Sequence, residues 1–411
     1  MFNDTWIALA AFFGLLGLAF RQDALVIMST LLLTVIPVAW LWNRYALRGV
    51  TYLRHLSEHR AFVGEEVTLT IQVANRKLLP IPWMKAEDEL PATIPLLDTR
   101  LAPTHREDVG YLVNLFSLRW HERVTRRFRM KCTQRGFYTI GPVRLQASDV
   151  FGLFTTDETL PREEVLIVYP QVWPIEVLGL PPKDPFGNVR SDIRLFADPS
   201  RAVGLRDHQP EDGLKHIHWK ASARQQRLQV KVYEPTTSPQ WVLFLNVATL
   251  PEPFQGSDPK LLERAIEVAA SVASHGVEQK HLVGLIANGT LPRSDQPLRV
   301  LPSRSPDQLM HILEALAAVT SFSTSRIADL MEAESPRLPW GATLIVITGV
   351  VSDSLLATML RLKGAGRKMA LIAVGAEVNP EQLPGIRVYR TPVEATQPDK
   401  AWVLEPTEVP A

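Results

Sequence analysis

Residues 241–247 read WVLFLNV, an apolar run interrupted only by Asn246, and three similar runs follow: HLVGLIA at 281–287, ATLIVIT at 342–348 and MALIAVG at 369–375. A short apolar run alone does not separate a buried strand from a buried helix, so the intervening segments decide the matter. From about Lys260 to His275, Leu261, Leu262, Ala265, Ile266, Ala269, Val272 and Ala273 recur at helical spacing and form one face. Further helices are expected at Pro306 to Val319 and at Ser352 to Leu362. Strands without polar alternation, separated by amphipathic helices, imply a largely parallel sheet covered on both faces. The reading is a doubly wound α/β domain over 239–400, followed by a tail at 401–411.

Upstream the period changes. VTLTIQV at 67–73, RVTRRFRMKC at 123–132 and VRLQA at 143–147 alternate apolar and polar residues, as half-buried strands do. Turn signals punctuate them at Val63-Gly64-Glu65, Leu79-Pro80-Ile81-Pro82, Gln134-Arg135-Gly136 and Ile140-Gly141-Pro142. An all-β sandwich is therefore expected over 49–177. The Pro- and Gly-dense LGLPPKDPFGNVRSD at 178–192 reads as a linker or surface loop, within a linking segment that spans 178–238.

The first 48 residues read as a transmembrane helical hairpin. TWIALAAFFGLLGLAF, 5–20, carries no charge, and ALVIMSTLLLTVIPVAWLW, 24–42, resumes after Arg21-Gln22-Asp23. The second run suffices to cross a hydrocarbon core of about 30 Å, whereas the first is short for it. Trp6, Trp40 and Trp42 lie near the ends, where an indole buries its ring and keeps its N–H wet. The start MFND lacks the basic segment of a cleaved signal peptide. Arg44, Arg48 and Arg54 follow the second run, so the positive-inside bias places the soluble part in the cytoplasm.

Over its 411 residues the chain balances 44 basic against 43 acidic side chains, which supplies no global attraction for nucleic acid. Its one cysteine, Cys132, excludes an internal disulfide and a cysteine-rich zinc site.

GLRDHQPEDGLKHIHWKASARQQRLQVKVYEP, 204–235, resembles the signature of the bacterial domain of unknown function 58 family. QRGFYTIGPVRLQASDVFGLF at 134–154 and GEEVTLTIQVAN at 64–75 are similar to further family motifs. Arg206, Asp212, Ile217, Trp219, Lys220, Ser222, Ala223 and Arg224 match the pattern. His208, Glu211, Lys215 and His218 depart from it, standing where the family has Tyr, Gly, Arg and Asp. The resemblance implies a membrane-anchored protein with a von Willebrand factor A-like α/β domain, multi-pass in the bacterial inner membrane. It also implies a MoxR-type AAA+ ATPase as partner.

Metal-binding von Willebrand factor A domains use a D-x-S-x-S loop after the first strand and an Asp after a later one, hard oxygens suited to Mg²⁺. The corresponding positions here are Asn246, Ala248, Leu250 and Gly349, so no divalent ion of the usual geometry is expected, nor any cofactor. Asp353 reads as a helix cap. An unusual ligand set drawn from Asp353, His208 or Asp212 would give the alternative, a metal-dependent adhesion or enzymatic module.

His55-Leu56-Ser57-Glu58-His59 spells H-x-x-E-H, a zinc-peptidase pattern that needs a helix to align both imidazoles. Its flanks read as strand and loop. Arg119, His121, Arg123, Arg127, Arg129 and Lys131 share one face by period two, either an ordinary solvated strand face or one that touches anionic lipid. No Walker A loop, G-x-S-x-G elbow or G-x-G-x-x-G turn occurs. The expectation is a non-enzymatic membrane scaffold or adaptor. Arg206, Asp212, Trp219, Lys220, Ser222 and Arg224 then serve either as a docking surface for a protein or as a buried cluster that joins the two domains.

Overall fold

The computed structural model describes residues 5–182, 185–186, 197–209, 217–235, 239–251, 256–292, 294 and 296–393. The chain divides into two compact units, Met1–Tyr169 and Pro170–Ala411.

Unit 1 begins with helices α1 (Thr5–Ala19) and α2 (Asp23–Ala46). Among the described residues α2 is the helix long and apolar enough to cross a membrane; at 24 residues it is about 36 Å long. The 15 residues of α1 fall short of that length. Gly14 and Gly17 bring α1 close to α2, since a Cβ at either would come within 2.9 Å of Ser29 or Leu25. Pro37 lies inside α2, where it brings no backbone N–H to the helical ladder.

Eleven strands follow in unit 1: β1 (Val50–Leu56), β2 (Arg60–Phe62), β3 (Glu66–Asn75), β4 (Ile81–Pro91), β5 (Ala102–Pro103), β6 (Val109–Leu118), β7 (Arg123–Lys131), β8 (Gly136–Ile140), β9 (Val143–Ser148), β10 (Thr155–Leu160) and β11 (Glu164–Tyr169). They form sheets of order β1-β3-β7, β10-β9-β4-β6-β5 and β2-β11-β8, antiparallel except where β11 meets β2. The alternation read from the sequence is borne out in burial: Val67, Leu69, Ile71 and Val73 of β3 are buried, while Thr68, Thr70 and Gln72 between them are only partly so. Met84, Leu112, Leu145 and Leu166, from β4, β6, β9 and β11, join them in one shared core.

Beside that core lies a buried polar group. Arg54 Nη1 donates to Asp88 Oδ1 at 3.1 Å, Arg54 also donates to the Arg162 carbonyl, and the Tyr52 hydroxyl donates to the other Asp88 oxygen. Burial pushes the Asp88 carboxyl up to about 6, against the pull of Tyr52 and Arg54, and burial also raises the Tyr52 phenol. Arg54, counted in the sequence among the charges flanking α2, is thus an interior residue at 1% side-chain exposure. Arg44 and Arg48 remain exposed, over the rings of Trp40 and Tyr45.

Unit 2 starts at Pro170, so that unit 1 ends eight residues before the boundary expected at 177. The Trp173 backbone N–H and indole donate to Ser271 and Glu267, and Thr391 donates to the Leu178 carbonyl. Of the stretch 178–192 read as a linker, Leu180 and Phe186 are buried, and Phe186 packs edge-on against Trp241 at 4.9 Å; most of the remainder lies outside the described residues. Strands β12 (Ala197–Asp207) and β13 (Gln229–Pro235) then pair as an antiparallel ribbon, with helix α3 (Trp219–Gln225) between them in sequence.

The remaining elements are β14 (Gln240–Leu245), α4 (Pro259–Glu278), β15 (Leu282–Thr290), β16 (Pro297–Val300), α5 (Gln308–Ala318), α6 (Ile327–Glu334), β17 (Ala342–Thr348), α7 (Asp353–Gly364), β18 (Lys368–Val374) and β19 (Arg387–Thr391). Their sheet has the order β16-β15-β14-β17-β18-β19, parallel except for β16. β14, β15, β17 and β18 are buried along almost their whole length, as their unbroken apolar runs require. One face packs Val242, Phe244, Val346 and Leu371 against Met331 of α6 and Met359 of α7. On the other, Gly276 lets α4 approach so closely that a Cβ there would stand 2.7 Å from Val283 and 2.8 Å from Trp241. Because β15 and β17 flank β14 on opposite sides, the strand order reverses at β14. The loops after β14 and β17 therefore meet at the carboxyl edge, where open α/β sheets form their ligand crevices.

Candidate functional site

At that carboxyl edge the structure brings together Asn246, Asn288 and Thr348, which follow β14 or end β15 and β17. All three are buried. Asn246 Nδ2 donates to Thr348 Oγ1 at 2.9 Å, while Asn246 Oδ1 accepts from Asn288 Nδ2 at 2.9 Å and from the Ala248 backbone at 3.1 Å. Asn288 Oδ1 accepts from the Val247 backbone, and Asn288 Nδ2 also reaches the Ser325 carbonyl. The Thr348 hydroxyl donates to the Val350 carbonyl at 2.6 Å and accepts its N–H at 3.1 Å. Each side-chain group is consumed in holding a loop, and a buried polar network so completed rigidifies what it joins.

The residues at the metal-loop positions do not fit an ion. The Asn246 oxygen already accepts two N–H groups, and Ala248 and Leu250 bring no side-chain donor. Gly349 sits under Leu261 of α4, whose side chain a Cβ there would meet at 2.7 Å. Asp353 is the first residue of α7, and the N-cap is Ser352, whose hydroxyl accepts from the Leu355 N–H at 3.3 Å; the expected capping role passes one residue upstream. Among the described residues no cluster of three His, Cys, Asp or Glu side chains has a metal-holding arrangement. Asn288 and Thr348 escaped the sequence reading, although a polar residue inside an otherwise apolar strand was the available signal.

The signature segment is only partly described. Arg206 lies on β12, in register with Val230 of β13. Asp212 falls outside the described residues, as do Glu211, Lys215 and His216. Ile217 bridges Val230 from the other side and is buried with it. The chain then turns into α3 through His218, whose Nδ1 accepts from the Ala221 N–H at 3.1 Å. Ser222 is the inward anchor of this helix. Its buried hydroxyl donates to the His218 carbonyl at 3.1 Å and accepts the Gln229 N–H at 2.9 Å. Trp219 is 66% exposed, and Lys220 and Arg224 are exposed with it. Lys220 and Arg224 stand four positions apart on one helical face, with Trp219 next to it.

In unit 1, His55 and Leu56 lie on β1 and Ser57 to His59 in the following loop, so the H-x-x-E-H spelling is not helical. β7 exposes Arg123, Arg127, Arg129 and Lys131 as the period predicts; Arg129 pairs with Asp98 at 3.1 Å.

Sequence comparison adds the family context. The model for the protein of unknown function DUF58 matches residues 204–398. The match takes in the ribbon from Gly204 onward, α3 and the six-stranded sheet. The uncharacterized protein YeaD of Bacillus subtilis is 23% identical over 358 residues, covering 84% of this chain and 81% of its own. Among solved structures, the CARDB domain of a Pyrococcus furiosus protein, crystallised with di-metal ions, covers 29% of this chain and 91% of its own at 15% identity and a TM-score of 0.21. A non-cellulosomal cohesin from Archaeoglobus fulgidus covers 29% and 90% at 7% identity and a TM-score of 0.20.

Proposed function

We propose that this chain is a membrane-anchored member of the domain of unknown function 58 family that acts as a scaffold or adaptor, using α3 to dock a protein partner, and that the partner is a MoxR-type AAA+ ATPase. The observation that carries the reading is the two-sidedness of α3. Its buried side is fixed by Ser222, and its outer side offers a solvent-exposed indole beside two cations, and Trp and Arg are enriched among interface anchors. Two like charges on one helical face weaken an isolated helix slightly, so their placement favours an acidic complementary surface.

The remaining assignments rest on the same basis. The sheet order, with one antiparallel edge strand and a reversal at β14, supports a von Willebrand factor A-like fold for unit 2. The shared core of alternating strands supports a β-sandwich in unit 1. The close approach of α1 to α2 at Gly14 and Gly17 supports a two-helix membrane anchor, with Arg44 and Arg48 on the cytoplasmic side. Binding without catalysis agrees with a crest whose polar groups are spent on one another.

The test uses the full chain in lipid nanodiscs and the purified MoxR-type ATPase of the same organism. Wild-type chain is expected to bind it, and the double variant Trp219→Ala/Arg224→Glu is expected to lose at least tenfold in affinity with its melting temperature unchanged. Equal affinity of variant and wild type would remove α3 from the interface, and no binding by wild type would remove the partner.

A further inference from the structure

The strand registers of unit 1 gather four segments at one end. Val50, at the start of β1, pairs with Asn75 at the end of β3, and Ala74 pairs with Arg123 at the start of β7. Ile81, at the start of β4, pairs with Leu118 at the end of β6, and Trp83 pairs with Ser148 at the end of β9. The 76–80, 119–122 and 149–154 connections therefore share the end at which α2 enters the first strand.

Hydrogen bonds tie the 76–80 connection to α2 and to the 119–122 connection. Lys77 Nζ donates to the carbonyls of Tyr45, Ala46 and Arg48, the last of these at 2.8 Å, and so caps the carboxyl end of α2. The His121 N–H donates to the Lys77 carbonyl, and Asn75 Nδ2 reaches Leu79 and Arg119. The buried Asp149 carboxylate accepts the N–H groups of Phe151 at 2.7 Å and Phe154 at 2.6 Å, so the 149–154 turn is a shaped structure.

What this end presents is apolar. Leu78 is 77% exposed, Trp120 63%, Phe151 54% and Leu153 52%, with the exposed cations Arg48 and Arg119 among them. The opposite end presents His105, Arg106, Glu107 and Asp108 on the 104–108 turn. Exposed side chains of this size in water lose the hydrophobic contribution that burial would return, and their concentration at one end calls for an apolar occupant.

We propose that this end of unit 1 is a lipid-docking face, in which Leu78, Trp120, Phe151 and Leu153 enter the bilayer interface while Arg48 and Arg119 meet anionic headgroups. The bilayer is the occupant because α2, long and apolar enough to span it, ends hydrogen-bonded to Lys77 in the 76–80 loop of this same end. Aromatic and aliphatic tips interspersed with cations match the layered chemistry of an anionic membrane surface. The inference rests on the membrane reading of α2.

The test places an environment-sensitive fluorophore on single cysteines in the full chain, in nanodiscs of phosphatidylethanolamine and phosphatidylglycerol with and without brominated acyl chains. Native Cys132 stays silent, being fully buried with its thiol pushed up to about 11. The variants are Trp120→Cys, Phe151→Cys, Leu33→Cys in α2 and Glu107→Cys at the far end. Bromine is expected to quench the probes at 120, 151 and 33 and to leave that at 107 unchanged. Quenching at 33 with none at 120 or 151 overturns the docking face and leaves the membrane reading standing. No quenching at 33 overturns the membrane reading and the inference with it.

Discussion

Replacing Asn246 with Asp restores the carboxylate that an ion-binding loop would carry, and the structure predicts harm from it. The new carboxylate keeps one oxygen toward the Ala248 and Asn288 N–H groups but turns the other toward Thr348 Oγ1, 2.9 Å from the present amide nitrogen. The hydroxyl proton of Thr348 already goes to the Val350 carbonyl, so two acceptors would face each other in a residue that is 5% exposed. The site can relieve this by taking up a proton. At pH 7, protonating an acid whose ordinary value is about 4 costs about 4 kcal/mol, which sets a ceiling. Losing one buried hydrogen bond costs about 1 kcal/mol or more, which sets a floor. A loss of about 1–4 kcal/mol, between these bounds, lowers the melting temperature of a unit this size by about 2–16 °C. The buried indole of Trp241, on β14, which leads into Asn246, gives a fluorescence readout of unfolding. The loss is expected to shrink as pH falls from 7 to 5, because the folded acid then binds a proton that the unfolded one lacks. Mg²⁺ at 10 mM is expected to return nothing, whereas a site with a Kd of about 0.1 mM would return about 2.7 kcal/mol. An Asn246→Asp variant as stable as wild type, or one rescued by Mg²⁺, refutes the reasoning.

Two further outcomes follow from packing. Arg54→Ala leaves Asp88 buried without its cation and is expected to cost unit 1 about 3–5 kcal/mol in urea unfolding. Loss of the guanidinium raises the carboxyl further above 6, so the gap to wild type should narrow as pH falls from 8 toward 6; a gap that widens contradicts the assignment. Gly276→Ala should destabilise unit 2 by about 1–3 kcal/mol although alanine is the better helix former, because its methyl meets Val283 and Trp241. A higher melting temperature would show that α4 has room to shift.

The parts of this molecule with a strong local period are legible in its sequence. The four apolar runs became β14, β15, β17 and β18, and the alternating runs became β3, β7 and β9. What escaped were elements held by tertiary pairing. β16 and β19 are short edge strands with weak patterns, and α6, eight residues long, carries its apolar residues in too short a span to announce a helix. The 178–238 segment read as a linker because of the Pro and Gly at its start, yet β12 and β13 pair although α3 lies between them in sequence, a contact that no local rule encodes. At the site, the missing ligands were visible as residue types, whereas the mutual satisfaction of Asn246, Asn288 and Thr348 needed three strands placed side by side. Trp219, Lys220 and Ser222 were singled out together, and burial separated them: Ser222 faces inward, while Trp219 and Lys220 face solvent.

The most direct test of the account is a titration of Mn²⁺ into the full chain, followed by the paramagnetic resonance of the free ion. A carboxyl-edge crest closed by its own amides should leave the free-ion signal equal to that in buffer through the micromolar range. Stoichiometric loss of that signal at micromolar Mn²⁺, abolished by Asn246→Ala, would contradict it.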